Sequence, residues 1–175
     1  MTTDKLDLNA LNPANPIAQH ASIERRPELA QAMDLLLGAA HVEVCCMQRD
    51  LAVLDLSSIS VVEKLEQLLT TRRGAHVRLL VDDPHWIDTQ APRLRALHRL
   101  TTHAFEIRQA SESDPIGDDC AVIIDRHHLL DLKVGHLVHG ELWLNQPHHA
   151  QPWQSTFDRR WEHAGHNLPA TPLGL

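Results

Sequence analysis

Residues 1–22, where Pro13 and Pro16 stand among Asn and Ala, sustain no hydrophobic period and predict a mobile arm or a strap on the surface. Beyond them the spacing turns helical. Pro27 suits a first turn, and Leu29, Ala32, Met33, Leu36 and Leu37 recur on one face until Gly38. Residues 41–47 read as a central strand covered on both faces, since Glu43 is their one acidic residue. After a connection over 51–59, Ser60 and Glu63 have capping-box spacing, and Val61, Val62, Leu65, Leu68 and Leu69 form a stripe that ends at Gly74. The next strand is 76–81, and the strand-helix-strand order implies a parallel pair. A helix over 92–100, a strand over 104–108, a polar loop over 110–117 and a core strand over 120–124 follow. Residues 129–134 and 141–144 complete antiparallel neighbours. The last helix, 154–164, carries Phe157 and Trp161 one turn apart. The body is thus one domain over 23–166, with an arm before it and a tail over 167–175.

Composition narrows the class. A chain of 175 residues, 43% hydrophobic and 22% charged, suits a single globular domain. No apolar run spans a bilayer, and the N-terminus lacks a basic-then-apolar signal, so a cytoplasmic protein without a membrane anchor is expected. The net charge of −7 has the wrong sign for a protein that neutralises many phosphates, and nucleic acid is not an expected partner. Three Cys without a Cys-x-x-Cys pair, Cys45, Cys46 and Cys120, suit reduced, buried thiols.

Residues 60–83, SVVEKLEQLLTTRRGAHVRLLVDD, begin a pattern that continues through AFEIR at 104–108 and DDCAVIID at 118–125 to a closing Phe-plus-Trp helix. Over residues 28–163 this order resembles the phospholipase D-like superfamily, in particular a small divergent bacterial branch that occurs alone or behind an acetyltransferase domain. The resemblance implies an α/β fold, an αβα sandwich with a mixed, mainly parallel sheet flanked by helices. In that superfamily His-x-Lys-x4-Asp does the chemistry: the His attacks phosphorus and the Lys, two residues on, steadies the phosphoryl oxygens. Here the matching positions hold Asp118, Cys120 and Asp125, so the nucleophile is replaced by a carboxylate and the cation by a thiol. With Asp119 adjacent and Lys133 the one Lys of the second half, a phosphodiester would meet like charge. The resemblance therefore implies a catalytically degenerate domain that acts as a binding or interaction module. It also implies a homodimer built on the motif face, near Asp118, Asp119, Cys120 and Asp125, with an acetyltransferase as a protein partner to consider. A Lys at position 120 would then alter the cleft more than the fold.

Other chemistries stand beside that reading. Eight of the fourteen His lie between His127 and His166, and a metal-dependent hydrolase would draw on His127, His128, His136 or His139 with Asp125. None of these matches His-Glu-x-x-His, and compositional bias toward His produces such pairs by itself. A phosphodiesterase with a rearranged site is the third reading. No Gly-x-Ser-x-Gly is present, and a dyad of Cys120 with His127 or His128 would need a sharp return of the chain. Without a Gly-rich phosphate loop, no nucleotide cofactor is expected, nor any other. Trp86, just past the 76–81 strand, either packs over the sheet edge or contacts a ligand there.

Overall fold

A computed structural model describes residues 7–135 and 138–170. Seven strands form one sheet in the order β1-β7-β6-β5-β2-β3-β4. They are β1 (Gln19–Ile23), β2 (Glu43–Met47), β3 (His76–Val81), β4 (Phe105–Gln109), β5 (Asp119–Ile124), β6 (His128–Val134) and β7 (Val138–Leu144). The helices are α1 (Arg26–Ala39), α2 (Ile59–Thr71), α3 (His85–Gln90), α4 (Pro92–Leu100) and α5 (Pro147–His163). Only β2–β3 and β3–β4 pair in parallel; β2–β5, β5–β6, β6–β7 and β1–β7 are antiparallel. The αβα sandwich and mixed sheet agree with expectation, but the balance is antiparallel rather than mainly parallel. Crossover helices join only the first three core strands, whereas the rest follow one another in short turns.

Strand alternation builds two cores. Val44, Cys46, Val77, Leu79, Cys120, Val122 and Ile124 face the layer that holds α1, α2 and α4. Cys45, Met47, Leu80, Ala121, Ile123 and Leu129 face α5, which presents Ala150, Phe157 and Trp161. Cys45 and Cys46 point to opposite faces and all three thiols are free and buried. No helix among the described residues is long and apolar enough to cross a membrane.

Three local features differ from the sequence pattern. Residues 7–22 do not stand apart from the body: Leu8 and Leu11 are buried, and Gln19–Ile23 pairs with β7 as an edge strand. Five residues, of whose three inward positions Gln19, Ala21 and Ile23 only two are apolar, are too short a signal to read as a strand. Helix α5 starts at Pro147 rather than 154 and carries Pro152 inside. Pro152 is exposed, so the carbonyl of His148 that loses its intrahelical donor faces water. Ser60 does not cap α2; its hydroxyl donates to Asp34 Oδ1 of α1 at 2.9 Å, a tie between two helices.

Candidate functional site

The family motif positions fall on and around β5, and the strand separates them. Asp118 precedes β5 at the edge where the parallel strands end, while Asp125 follows it at the other edge, about 20 Å away at ~3.3 Å per residue. Cys120 lies between, fully buried in the α1-side core. Burial pushes its thiol up to about 12, with Asp131, Asp119 and Asp50 adding to the shift, so it is neither a cation nor a thiolate near neutral pH.

Asp125 is a structural lock. It and Arg126 have positive φ of 51° and 62°, the backbone of a type I′ turn between β5 and β6. Its carboxylate accepts the N–H groups of His41, Val42 and Glu43 at 2.7–2.8 Å and so anchors the start of β2. It has little left to offer a metal, which removes the acidic ligand from the His-based hydrolase reading.

Asp118 opens onto a cleft of about 690 Å³ lined by Glu24, Arg25, Arg26, Gln48, Arg49, Asp50 and Val138 among others. Its placement is set by Asp82 at the end of β3, whose carboxylate accepts the N–H groups of Ile116 and Gly117, both at 2.9 Å. Gln48, 6% exposed, shapes the opposite wall. Its Oε1 accepts N–H groups from Asp50 and Leu51, fixing the loop in which Leu51 has φ 65°. Arg26 stands at the first turn of α1, and Glu28 caps that helix by accepting the N–H groups of Glu24 and Arg25. Arg25 pairs with Glu28, whereas Arg26 and Arg49 make no ion pair among the described residues. Asp118 therefore shares its cleft with these cations, without an ion pair to either. The chain order gave no sign of this, because Arg26 and Arg49 come from α1 and the loop after β2, far from Asp118 in sequence.

The remaining expected positions scatter. Asp119 accepts a bond from Arg160 Nη1 at 2.9 Å and so ties β5 to α5. Trp86 is half-buried on α3 and packs against the α1-side core. His139 is exposed on β7 opposite Lys133, and His136 lies outside the described residues. His127 and His128, by contrast, share a depression of about 580 Å³ with Asp125, His41, Asp34 and Lys64. Burial lowers the His128 pKa, and its Nδ1 accepts the Asn145 N–H at 3.1 Å. Among the described residues no three His, Cys, Asp or Glu side chains are grouped to hold a metal ion.

A second charged centre, missed by sequence reasoning, lies at the edge where β2 and β3 begin. Glu43 and Asp158 alternate with Arg78 and Arg126 in a closed ring: Arg78 Nη2 is 2.7 Å from Glu43 and 3.0 Å from Asp158, and Arg126 is 3.4 Å from each. His76 Nε2 adds a contact to Glu43 at 3.0 Å. Burial alone would raise the Glu43 pKa, but the hydrogen bond with His76 and the charges of Arg78 and Arg126 hold it at about 2. The same bond raises the His76 pKa. Arg78 also lies over the rings of Phe157 and Trp161, at 5.0 and 5.5 Å from their centroids. The ring welds β2, β3, the β5–β6 turn and α5 together; its contacts join residues 32 to 83 positions apart, which hid it.

The profile of a family described as "Domain of unknown function (DUF7931)" matches residues 25–169. Three solved structures share the fold. Nuc of Salmonella typhimurium, described as a phospholipase D family member, superposes with a TM-score of 0.57 at 14% identity, over 84% of this chain and 97% of that one. NucT from Helicobacter pylori gives 0.62 at 8% identity, over 86% and 99%. TrmBL2, described as an archaeal chromatin protein with a novel mode of DNA binding, gives 0.62 at 12% identity, over 84% of this chain; the chain spans 54% of TrmBL2. No curated protein matches the chain. An acetyltransferase partner has no support among these similarities.

Proposed function

The chain belongs to the DUF7931 family of domains of unknown function and has a phospholipase D-like fold, and on that footing we propose a catalytically degenerate domain that works as a homodimeric binding module. The observation that carries this reading is the state of the motif positions. Where the superfamily places a Lys, Cys120 is a core thiol held protonated, and where it places the Asp, Asp125 is spent on three backbone N–H groups. The cleft at Asp118 is the ligand site of the module. Arg26 and Arg49 receive an anionic group there, while Asp118, Asp50 and Glu24 receive a cationic one, so the ligand is a small molecule bearing both signs. No cofactor is required.

The same arginines favour one alternative, a phosphodiesterase with a rearranged site. Asp118 would be the nucleophile and Arg26 with Arg49 would stabilise the phosphoryl oxygens. It ranks second because, among the described residues, no His lines the cleft to activate Asp118 or to protonate a leaving group. Nucleic acid is not the partner of this reading. The DNA binding described for TrmBL2 belongs to that protein, and this chain carries a net charge of −7.

Native mass spectrometry of untagged full-length protein tests the module. The expected spectrum is a dimer, with any retained small molecule lost in the Arg49→Ala variant. A monomer without adducts at tens of micromolar protein would overturn the reading.

A further inference from the structure

The groove between α2 and α4 has a self-complementary pattern that fits a second copy of this chain. It is a shallow trough of about 330 Å³ lined by Ile59, Val62, Glu63 and Glu66 of α2 and by Arg93, Ala96, Leu97 and Leu100 of α4. Ile59 is 57% exposed and Leu100 77%, two of the four large apolar side chains left in water among the described residues. Glu63, Glu66 and Arg93 are exposed, and none makes an ion pair among the described residues.

The topology fixes how these residues are arranged. Both helices return the chain between parallel strands, so α2 and α4 run side by side in the same direction. Because the trough is lined over the same stretch by Ile59 to Glu66 of α2 and by Arg93 to Leu100 of α4, Ile59 and Arg93 stand at one end of it and Glu66 and Leu100 at the other. Seven residues along each helix cover about 10 Å, close to the spacing of two packed helices. Ideal helix geometry then puts the four positions near the corners of a square, with the apolar pair on one diagonal and the opposite charges on the other.

We infer that this face is a two-fold interface between copies, with the axis along the Ile59–Leu100 diagonal. Rotation about that diagonal lays Ile59 on its copy, Leu100 on its copy, and Arg93 on the Glu66 of the other chain. Rotation about the other diagonal would set Arg93 against Arg93. The inference rests on the homodimer reading and places the contact away from the motif edge, where a two-fold would bring Asp118 toward its own copy.

Sedimentation velocity of the full chain over a concentration series tests it. Leu100→Glu and Arg93→Glu are each expected to weaken dimerisation about tenfold or more, and adding Glu66→Arg to Arg93→Glu is expected to restore it to within about threefold. All positions are exposed, so folding is not at stake. An unchanged dimer in Leu100→Glu would overturn this interface and leave the homodimer standing on another face. A double exchange that fails to restore association would overturn the axis. A wild-type chain that stays monomeric throughout would overturn both the interface and the homodimer.

Discussion

On the function proposed above, the loss of phosphodiesterase chemistry is concentrated in Cys120. A Lys at that position would have to place its ammonium among Val122, Leu132 and Ala32, on the face of the sheet that α1 covers. Burying an unpaired charge costs about 3–5 kcal/mol, and Asp131, Asp119 and Asp50 offset part of that for an ammonium, so Cys120→Lys should lower the unfolding free energy by less than that figure but measurably in urea titrations. Asp118→Ala, at an exposed position, should stay within about 0.5 kcal/mol of wild type. This reverses the expectation that a Lys at 120 would alter the cleft more than the fold. The His-x-Lys-x4-Asp spacing could be matched to Asp118, Cys120 and Asp125 from sequence, because it is a count along one strand. Which of them reached a cleft could not, because that depends on α1 packing over β5 and on the turn that aims Asp125 back at β2.

At the scale of elements, the Glu43–Arg78–Asp158–Arg126 ring makes a pH-dependent clamp on the α5 side of the sheet. Glu43 is depressed from 4.5 to about 2, so its contribution is complete above 4.5 and is lost as pH falls toward 2. His76 is raised from 6.5, so its contribution is complete below 6.5 and fades as pH rises through the elevated value. Stability measured against pH should therefore lose part of its acid slope below 4.5 in Glu43→Gln, and part of its decline above 6.5 in His76→Gln, relative to wild type. Superimposable wild-type and variant profiles would show that the ring does not hold the fold. The elements it joins were legible where periodicity was long, as in α1, α2, β3 and β5. They were not where the signal was short or overridden: β1 is a five-residue edge strand, α3 is a six-residue turn of helix, and Pro152 hid the first two turns of α5.

For the whole molecule, a body with a phospholipase D-like fold carries a cleft at the edge where its parallel strands end. Two arginines from distant segments line it together with Asp118, and Cys120, the position that the sequence match aligns with the motif Lys, is buried in the core. On the function proposed above, this site holds a ligand rather than cleaving one. The most direct test is steady-state hydrolysis of bis(p-nitrophenyl) phosphate between pH 5 and 9, comparing wild type with Asp118→Ala. The account predicts that both release nitrophenol at the rate of buffer alone. Saturable hydrolysis by the wild type that disappears in Asp118→Ala would contradict it and establish the rearranged phosphodiesterase instead.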